Sequence, residues 1–457
     1  MVRAVSRLVA AHPRLPALAA CLLLPACFKA PMVSSQRSLA TWHELQAADT
    51  RRASADRPGD PDPGDALTAD QAFALALAHN PQLAVAEAEA AVAESEIESA
   101  KQLENPTLRL TNFAIDDTVA GRPGLNLGLR APIPRPGSIH ARVAAARSVA
   151  EGAKSRSDAA RRRLHTEIRR HFALLAHLTA DLDELTRAAA LADQRRQQLS
   201  ARVEQAVATR VDLSLAEVAH AEVVDEAGRV RGEITRTEAA LTQLVAPGTT
   251  QRYRVDPGEL RTTDVLLDTA ALTEKAVAAR PELRASQTRT AEAQADVYLA
   301  KNEAWPWFSW AQVNYHFRAQ STATAATGAP ALGFGLALDL PLFSWNLRKI
   351  KAAKAVVRQR ELEERAAVAA VAGEVAAARA RVEQADARVR EIETKLLPQI
   401  DDAARHAEAA LAAGGLDAIE ALEIADRQVA ARRAHLEALY QRRDAMLELE
   451  AALGVAP

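Results

Sequence analysis

The sequence predicts a mainly α-helical protein with a small membrane-type β part. Long antiparallel coiled-coil helices are laid out twice, and four short strands contribute to a barrel that several chains must complete. Three observations lead there. The composition is that of packed helices, with aromatic residues at only 4% in a chain of 457 that is 49% hydrophobic and 25% charged. The chain repeats one plan in its two halves. And "PALGFGLALDLPLFSWN", positions 330 to 346, alternates strictly. Leu332, Phe334, Leu336, Leu338 and Leu340 fall on one parity, and Gly333, Gly335, Ala337 and Asp339 on the other.

The N-terminus opens with "MVRAVSRLVAAHPRLPALAACLLLPAC", basic residues followed by an apolar stretch that ends in small residues. This reads as an export signal over 1–27. A cysteine directly after it points to lipidation. Cys27 is preceded by enough apolar length but by an unusual Pro25. Cys21 has the better preceding residues but a short apolar run, and ordinary cleavage without a lipid stays open. These two are the only cysteines, so neither a disulfide framework nor a cysteine metal site is expected in the body. Residues 28–66, with "RPGDPDPGD", read as an extended linker. The formal net charge of -2, with acidic and basic residues interleaved, gives no nucleic-acid signal. No further run of about 18 apolar residues exists to form a membrane-spanning helix.

The first repeat spans 67–250 and the second 251–457. Pro81 and Pro281 sit at matching places, as do Pro106 and Pro306, and "LNLGLRAPIP" answers "GLALDLPLF". Helices are predicted over 67–103, 138–206 and 212–246 in the first repeat, and over 268–303, 344–411 and 417–453 in the second. The segments at 138–206 and 344–411 would each be about 100 Å long at 1.5 Å per residue. Their flanking helices are about half that length, so each repeat reads as two antiparallel rods, one of them interrupted. Pro398 lies inside a long segment and predicts a kink.

Strands are predicted over 106–116, 124–133, 306–318 and 331–342, each near the roughly 9–11 residues that cross a bilayer when tilted. Leu125, Leu127 and Leu129 oppose Asn126, Gly128 and Arg130. Trp307, Ala311, Val313, Tyr315 and Phe317 oppose Gln312, Asn314, His316 and Arg318. Trp305, Trp307, Trp310 and Trp345, four of the five tryptophans, cluster at the ends of one short region, as suits a membrane interface. Apolar on one face and polar on the other is the signature of a membrane barrel. A soluble sheet packed on helices is the alternative, within a periplasmic coiled-coil scaffold or adaptor. Four strands cannot close, because the smallest such barrels have about eight, and an open edge in lipid is forbidden. Three copies would give twelve strands and twelve helical rods, although two or four copies stay open on this argument.

The chain resembles the TolC family of outer-membrane factors, exit ducts of tripartite efflux pumps and type I secretion systems. The likeness rests on "ALAHNPQL", "NPTLRL", "LPLFSWNLRKIKAAKA" and "LLPQIDDAARHAEAALAAGGLDAIEALEIADRQVAARRAHLEALY", in order across 67 to 455. The phrase "PLFSWNLRKIKAAKA" looks closest to members serving heavy-metal resistance pumps. The resemblance implies a homotrimer with a 12-stranded β-barrel in the outer membrane and a 12-helix α-barrel crossing the periplasm. It also implies a periplasmic adaptor and an inner-membrane pump of the RND or ABC type as partners, outer-membrane lipid around Leu125, Leu127, Leu129, Phe334, Leu336 and Leu338, and no cofactor or nucleic acid. The family's periplasmic gate of paired acidic residues falls on Glu420 and Glu423, where the family more often has Asp. Adaptor docking falls on the tips between paired helices: Arg210, Val211, Asp212 and Leu213 in the first repeat, and Gly414, Gly415, Leu416 and Asp417 in the second. Asp212 and Asp417 also suit helix N-termini without any docking role. The first tip lacks the glycine pair of the second.

No catalytic constellation is present. There is no Gly-rich phosphate loop and no nucleophile elbow. His165, His171 and His177 are spaced by six and do not share a helical face, and none of the eleven histidines forms an i,i+4 pair.

Overall fold

The computed structural model of the chain describes residues 38–44, 66–111, 124–247, 260, 268–318, 321–322, 325–326, 331–343, 345–412 and 418–454. The export signal with Cys21 and Cys27 lies outside them. The chain divides into two units. In the first, Met1–Arg57 with Gly248–Thr250, the described residues form a short helix at 38–44. That helix falls within the predicted extended linker, in "SLATWHE", a stretch free of Pro and Gly.

The second unit, Pro58–Pro247 with Gln251–Pro457, holds both repeats. The first contains α1 (Ala69–His79), α2 (Pro81–Lys101), β1 (Thr107–Thr111), β2 (Gly124–Pro132), α3 (Ser138–Glu204) and α4 (Arg210–Val245). The second contains α5 (Thr269–Ala279), α6 (Pro281–Asn302) and β3 (Trp307–Arg318). After these come the short β4 (Ser321–Thr322) and β5 (Ala325–Ala326), then β6 (Ala331–Asp339), α7 (Leu347–Glu391), α8 (Leu397–Ala412) and α9 (Ala418–Leu453).

The helices predicted as single over 67–103 and 268–303 are each broken in two, at Asn80 and Arg280. The proline that follows has no N–H to give the preceding turn, and it drives the residue before it into extended backbone. Asn80 makes the break a cap. Its Oδ1 accepts from the backbone N–H of Gln82 at 2.9 Å and of Leu83 at 3.2 Å, and its Nδ2 donates to the carbonyl of Leu244 at 2.8 Å. Arg280 does the matching work in the second repeat: its Nε donates to the carbonyl of Ala452 at 2.8 Å, and its guanidinium meets Glu374 at 2.5 Å. Both repeats thus tie their first break to the end of their last helix. The packing repeats as well. Ala76 and Ala276 are wholly buried, as are Leu83 and Leu283 nearly so, in two separate cores. One gathers around Ile168, Phe172 and Leu241, the other around Val371, Val375 and Leu449.

The rods are as long as predicted. The 67 residues of α3 span about 100 Å, and α3 packs along α1, α2 and α4 of its own repeat and along α6 and α9 of the other. The rod predicted over 344–411 runs helically from Leu347 to Ala412 without a gap, but its hydrogen-bond pattern changes within it. Between α7 and α8 the ladder widens into a π turn over Ile392–Leu396, where the N–H of Leu397 reaches the carbonyl of Ile392. Pro398 follows directly. What the structure shows beside the proline is this widened turn, a common irregularity where a helix must accommodate a missing donor.

The strands form one antiparallel sheet in the order β1-β2-β3-β6, with the two repeats meeting at β2 and β3. Trp307 departs from the face that strict alternation assigns it. The register of β3 against β6 shifts between Phe308 and Trp310, leaving Ser309 as the extra residue of a β-bulge. The shift turns Trp307 away from the apolar face, to the register position opposite Asp339, and its indole N–H donates to the carbonyl of Pro134 at 3.2 Å. Phe308 takes its place on the apolar face, opposite Leu338.

Candidate functional site

Cross-strand pairing assembles the apolar face residue by residue. Leu108 lies opposite Leu129, Leu129 opposite Val313, Val313 opposite Phe334, and Ala311 opposite Leu336. Leu110, Leu127, Tyr315 and Leu332 form a second row. Among the described residues no helix covers this surface: Phe334 is 82% exposed, and Leu108, Leu129, Leu336 and Leu338 are all exposed. Leu127 is half-buried, and Leu125 is placed by its register opposite Phe317. A contiguous apolar face of this extent is foreign to the water-facing surface of a monomer. The outer edges of β1 and β6 have no strand beside them among the described residues.

The opposite face is polar. Arg130 stacks over the indole of Trp310, with its guanidinium carbon 4.2 Å from the ring centroid. Gln312 donates to Asn314 along the same strand. Glycine at position 128 makes room for the second of these arrangements, whereas a side chain at Gly335 would meet Trp310 at ordinary contact distance. A Cβ at Gly128 would stand 2.5 Å from Asn314 Oδ1 and 2.7 Å from Gln312 Nε2, and one at Gly335 would stand 3.4 Å from the Trp310 ring.

At the junction below the sheet, polar side chains close the helix ends. Arg135 donates to the carbonyls of Asn302 at 3.0 Å and Trp305 at 2.5 Å, and Asn346 donates to the carbonyl of Ala300 at 2.9 Å. These contacts hold the strands on the rods.

At the far end of the rods, the first tip is built by a capping box. Thr209, not Asp212, is the N-cap of α4. Asp212 sits three residues on, where its carboxylate accepts from the Thr209 backbone N–H at 2.9 Å and from its hydroxyl at 2.8 Å. Those hydrogen bonds, the backbone one foremost, hold the Asp212 carboxyl below its usual pKa. Arg210 and Val211 are exposed, and Leu213 is half-buried. Leu215 and Val218 extend the exposed apolar stripe begun by Val211, an i, i+4, i+7 pattern on α4, and Val207 is exposed in the turn before it. The second tip, Gly414 to Asp417, lies outside the described residues. Glu420 and Glu423 both stand exposed on the first turns of α9, and Glu423 pairs with Arg427 at 2.6 Å.

Sequence spacing gave no sign of the polar knot further up the rods. Arg433 of α9 engages both Asp181 of α3 and Glu226 of α4, partners 252 and 207 residues away in sequence. Glu226 also pairs with Arg229. Flanked by the two guanidinium groups, Arg229 foremost, its carboxyl is lowered to a pKa of about 2. Beside the knot, Arg432 lies 3.4 Å from both Glu184 and Asp401.

Comparison with known proteins agrees with this geometry. No curated protein matches the sequence. Among solved structures, the outer membrane protein VceC of Vibrio cholerae is similar at a TM-score of 0.67 and 20% identity, over 84% of this chain and 96% of that one. The MtrE outer membrane channel of Neisseria gonorrhoeae is similar at 0.67 and 18% identity, over 85% and 89%. CusC is similar at 0.70 and 16% identity, over 84% and 92%. Residues 272–455 match the family model described as "Outer membrane efflux protein". Residues 272–455 are thus similar to the outer membrane efflux protein family, within a chain that shares the fold of these outer-membrane channels.

Proposed function

We propose that the chain is the outer-membrane subunit of a tripartite efflux system, a passive duct that crosses the outer membrane and extends into the periplasm. The observation that carries this reading is the exposed apolar sheet face bounded by two edges that are unpaired among the described residues. In lipid the face is favourable, but each unpaired backbone group costs several kcal/mol. The strand directions offer a remedy. In the order β1-β2-β3-β6 neighbours alternate in direction, so β6 of one subunit meets β1 of the next antiparallel, and the ring closes without an edge. Three subunits give twelve strands. The soluble scaffold reading leaves the apolar face in water and has no observation in its favour.

Within this duct, Glu420 and Glu423 would ring the periplasmic mouth, and the partnership of Glu423 with Arg427 would leave Glu420 as the freer charge. Both helical tips would receive a periplasmic adaptor's helical hairpin, with Val207, Val211 and Leu215 as apolar anchors at the first. An inner-membrane pump would supply the energy. Cys27 or Cys21 would carry a lipid. The test is membrane fractionation followed by electrophoresis of unheated and heated samples. An outer-membrane species that runs as a trimer until heated supports the proposal, and a soluble monomer refutes it.

A further inference from the structure

The polar face of the sheet carries an imbalance of fixed charge. Among its described residues Arg109 and Arg130 are cationic, and the one carboxylate is Asp339, at the end nearest the helices. Arg318 occupies a register position on the same alternation, opposite Gly124. Neither Arg109 nor Arg130 has a carboxylate partner among the described residues. The partner of Arg130 is the face of Trp310, which neutralises nothing. Edge closure does not supply the missing anion either. The strand that would join β1 is β6, whose positions on this face are Gly333, Gly335 and Ala337 before Asp339 is reached.

Trp310 holds one of these charges against the wall: its indole packs beside Gly335 of β6, and Arg130 lies over that indole. Gly128 lets Gln312 and Asn314 fold down beside it. Arg109, two positions along the pair from Arg130, stands about 7 Å further out at the strand rise. The Arg130 guanidinium is therefore held low on the wall by Trp310, and Arg109 adds a second, exposed positive charge beyond it.

We propose that this face is a cationic sleeve that makes the outer segment of the duct prefer anions, organic anions among its cargo included. Its sign is opposite to that of the acidic periplasmic mouth. The proposal rests on the duct reading, which places this face toward the lumen. Fixed charge on a pore wall concentrates counter-ions and excludes co-ions within about a Debye length, roughly 10 Å at 0.1 M salt and 3 Å at 1 M.

The test is the reversal potential of the purified trimer in planar bilayers under a tenfold KCl gradient at low salt. The Glu420→Gln/Glu423→Gln background removes the opposing charge at the mouth. Chloride should permeate at least about threefold better than potassium. That ratio should fall by at least about half in Arg109→Gln/Arg130→Gln, persist in Arg109→Lys/Arg130→Lys, and fade at 1 M salt. Conducting channels whose parent ratio is at or below one, or is the same in the Gln and Lys variants, overturn the sleeve and leave the duct intact. Absence of any conductance overturns the duct reading, and the sleeve with it.

Discussion

Arg433 of α9 grips Asp181 of α3 with two parallel hydrogen bonds, Nε to Oδ1 at 2.6 Å and Nη2 to Oδ2 at 2.9 Å. The contact joins the second repeat to the first. Its two members are unequally placed, since the Asp181 side chain is 5% exposed and that of Arg433 is 32% exposed. Removing Arg433 strands a buried carboxylate, and about 3–5 kcal/mol is the usual cost of breaking a buried pair in that way. Removing Asp181 leaves an arginine that can still reach Glu226 at 2.8 Å and water. Arg433→Ala is therefore expected to destabilise the protein markedly more than Asp181→Ala. Thermal unfolding of the two variants in detergent measures the difference.

The same knot sets an acid limit. Glu226 has a folded pKa depressed from the ordinary 4.5 to about 2 by Arg229 and Arg433. A depressed carboxylate contributes stability that is fully present above the unfolded value and is lost as pH falls through the folded one. The contribution of Glu226 should thus be intact at pH 6 and decline between about pH 4.5 and 2. In Glu226→Gln that part of the decline is absent, and unfolding curves recorded across this window should converge at the acid end.

Phe334 stands at the centre of the apolar face, opposite Val313. If lipid covers it, Phe334→Arg should cost about 2–4 kcal/mol, the range for a cation near the bilayer midplane, while Phe334→Leu should be tolerated. The temperature at which the trimer dissociates on a gel reports both.

Alanine at Glu420 and Glu423 removes the carboxylates proposed to ring the mouth. Because Glu423 is already paired with Arg427, Glu420→Ala should raise basal conductance or reduce cation preference more than Glu423→Ala. Single-channel recording separates them, and unchanged conductance and selectivity in both would make these residues ordinary solvated glutamates.

Most of the architecture was legible because it rests on local periodicity. The strands announce themselves by alternation, with Leu332 to Leu338 the clearest run. The rods do so by apolar spacing at three and four residues. The breaks at Asn80 and Arg280 were marked by the prolines that follow them, but which side chain would close each break depended on a carbonyl more than 160 residues away. The bulge at Ser309 was invisible. Parity alone puts Trp307 with Val313, and one inserted residue reverses that, exchanging Trp307 for Phe308. The π turn was foreshadowed only by Pro398. The Arg433 knot had no signal at all, since arginines and glutamates are scattered along every helix and only tertiary packing selects which of them meet.

The central claim is that one chain's sheet is finished by its neighbours, β6 of one subunit against β1 of the next. Apart from Cys21 and Cys27 the chain has no cysteine, so single cysteines placed along β1 and along β6 form a clean reporter. Oxidative cross-linking of such pairs in intact outer membranes should give a ladder of dimer and trimer that stops at three, for one register of pairs and not for those beside it. Only monomer at every register, or protein recovered in the soluble fraction, would contradict the claim.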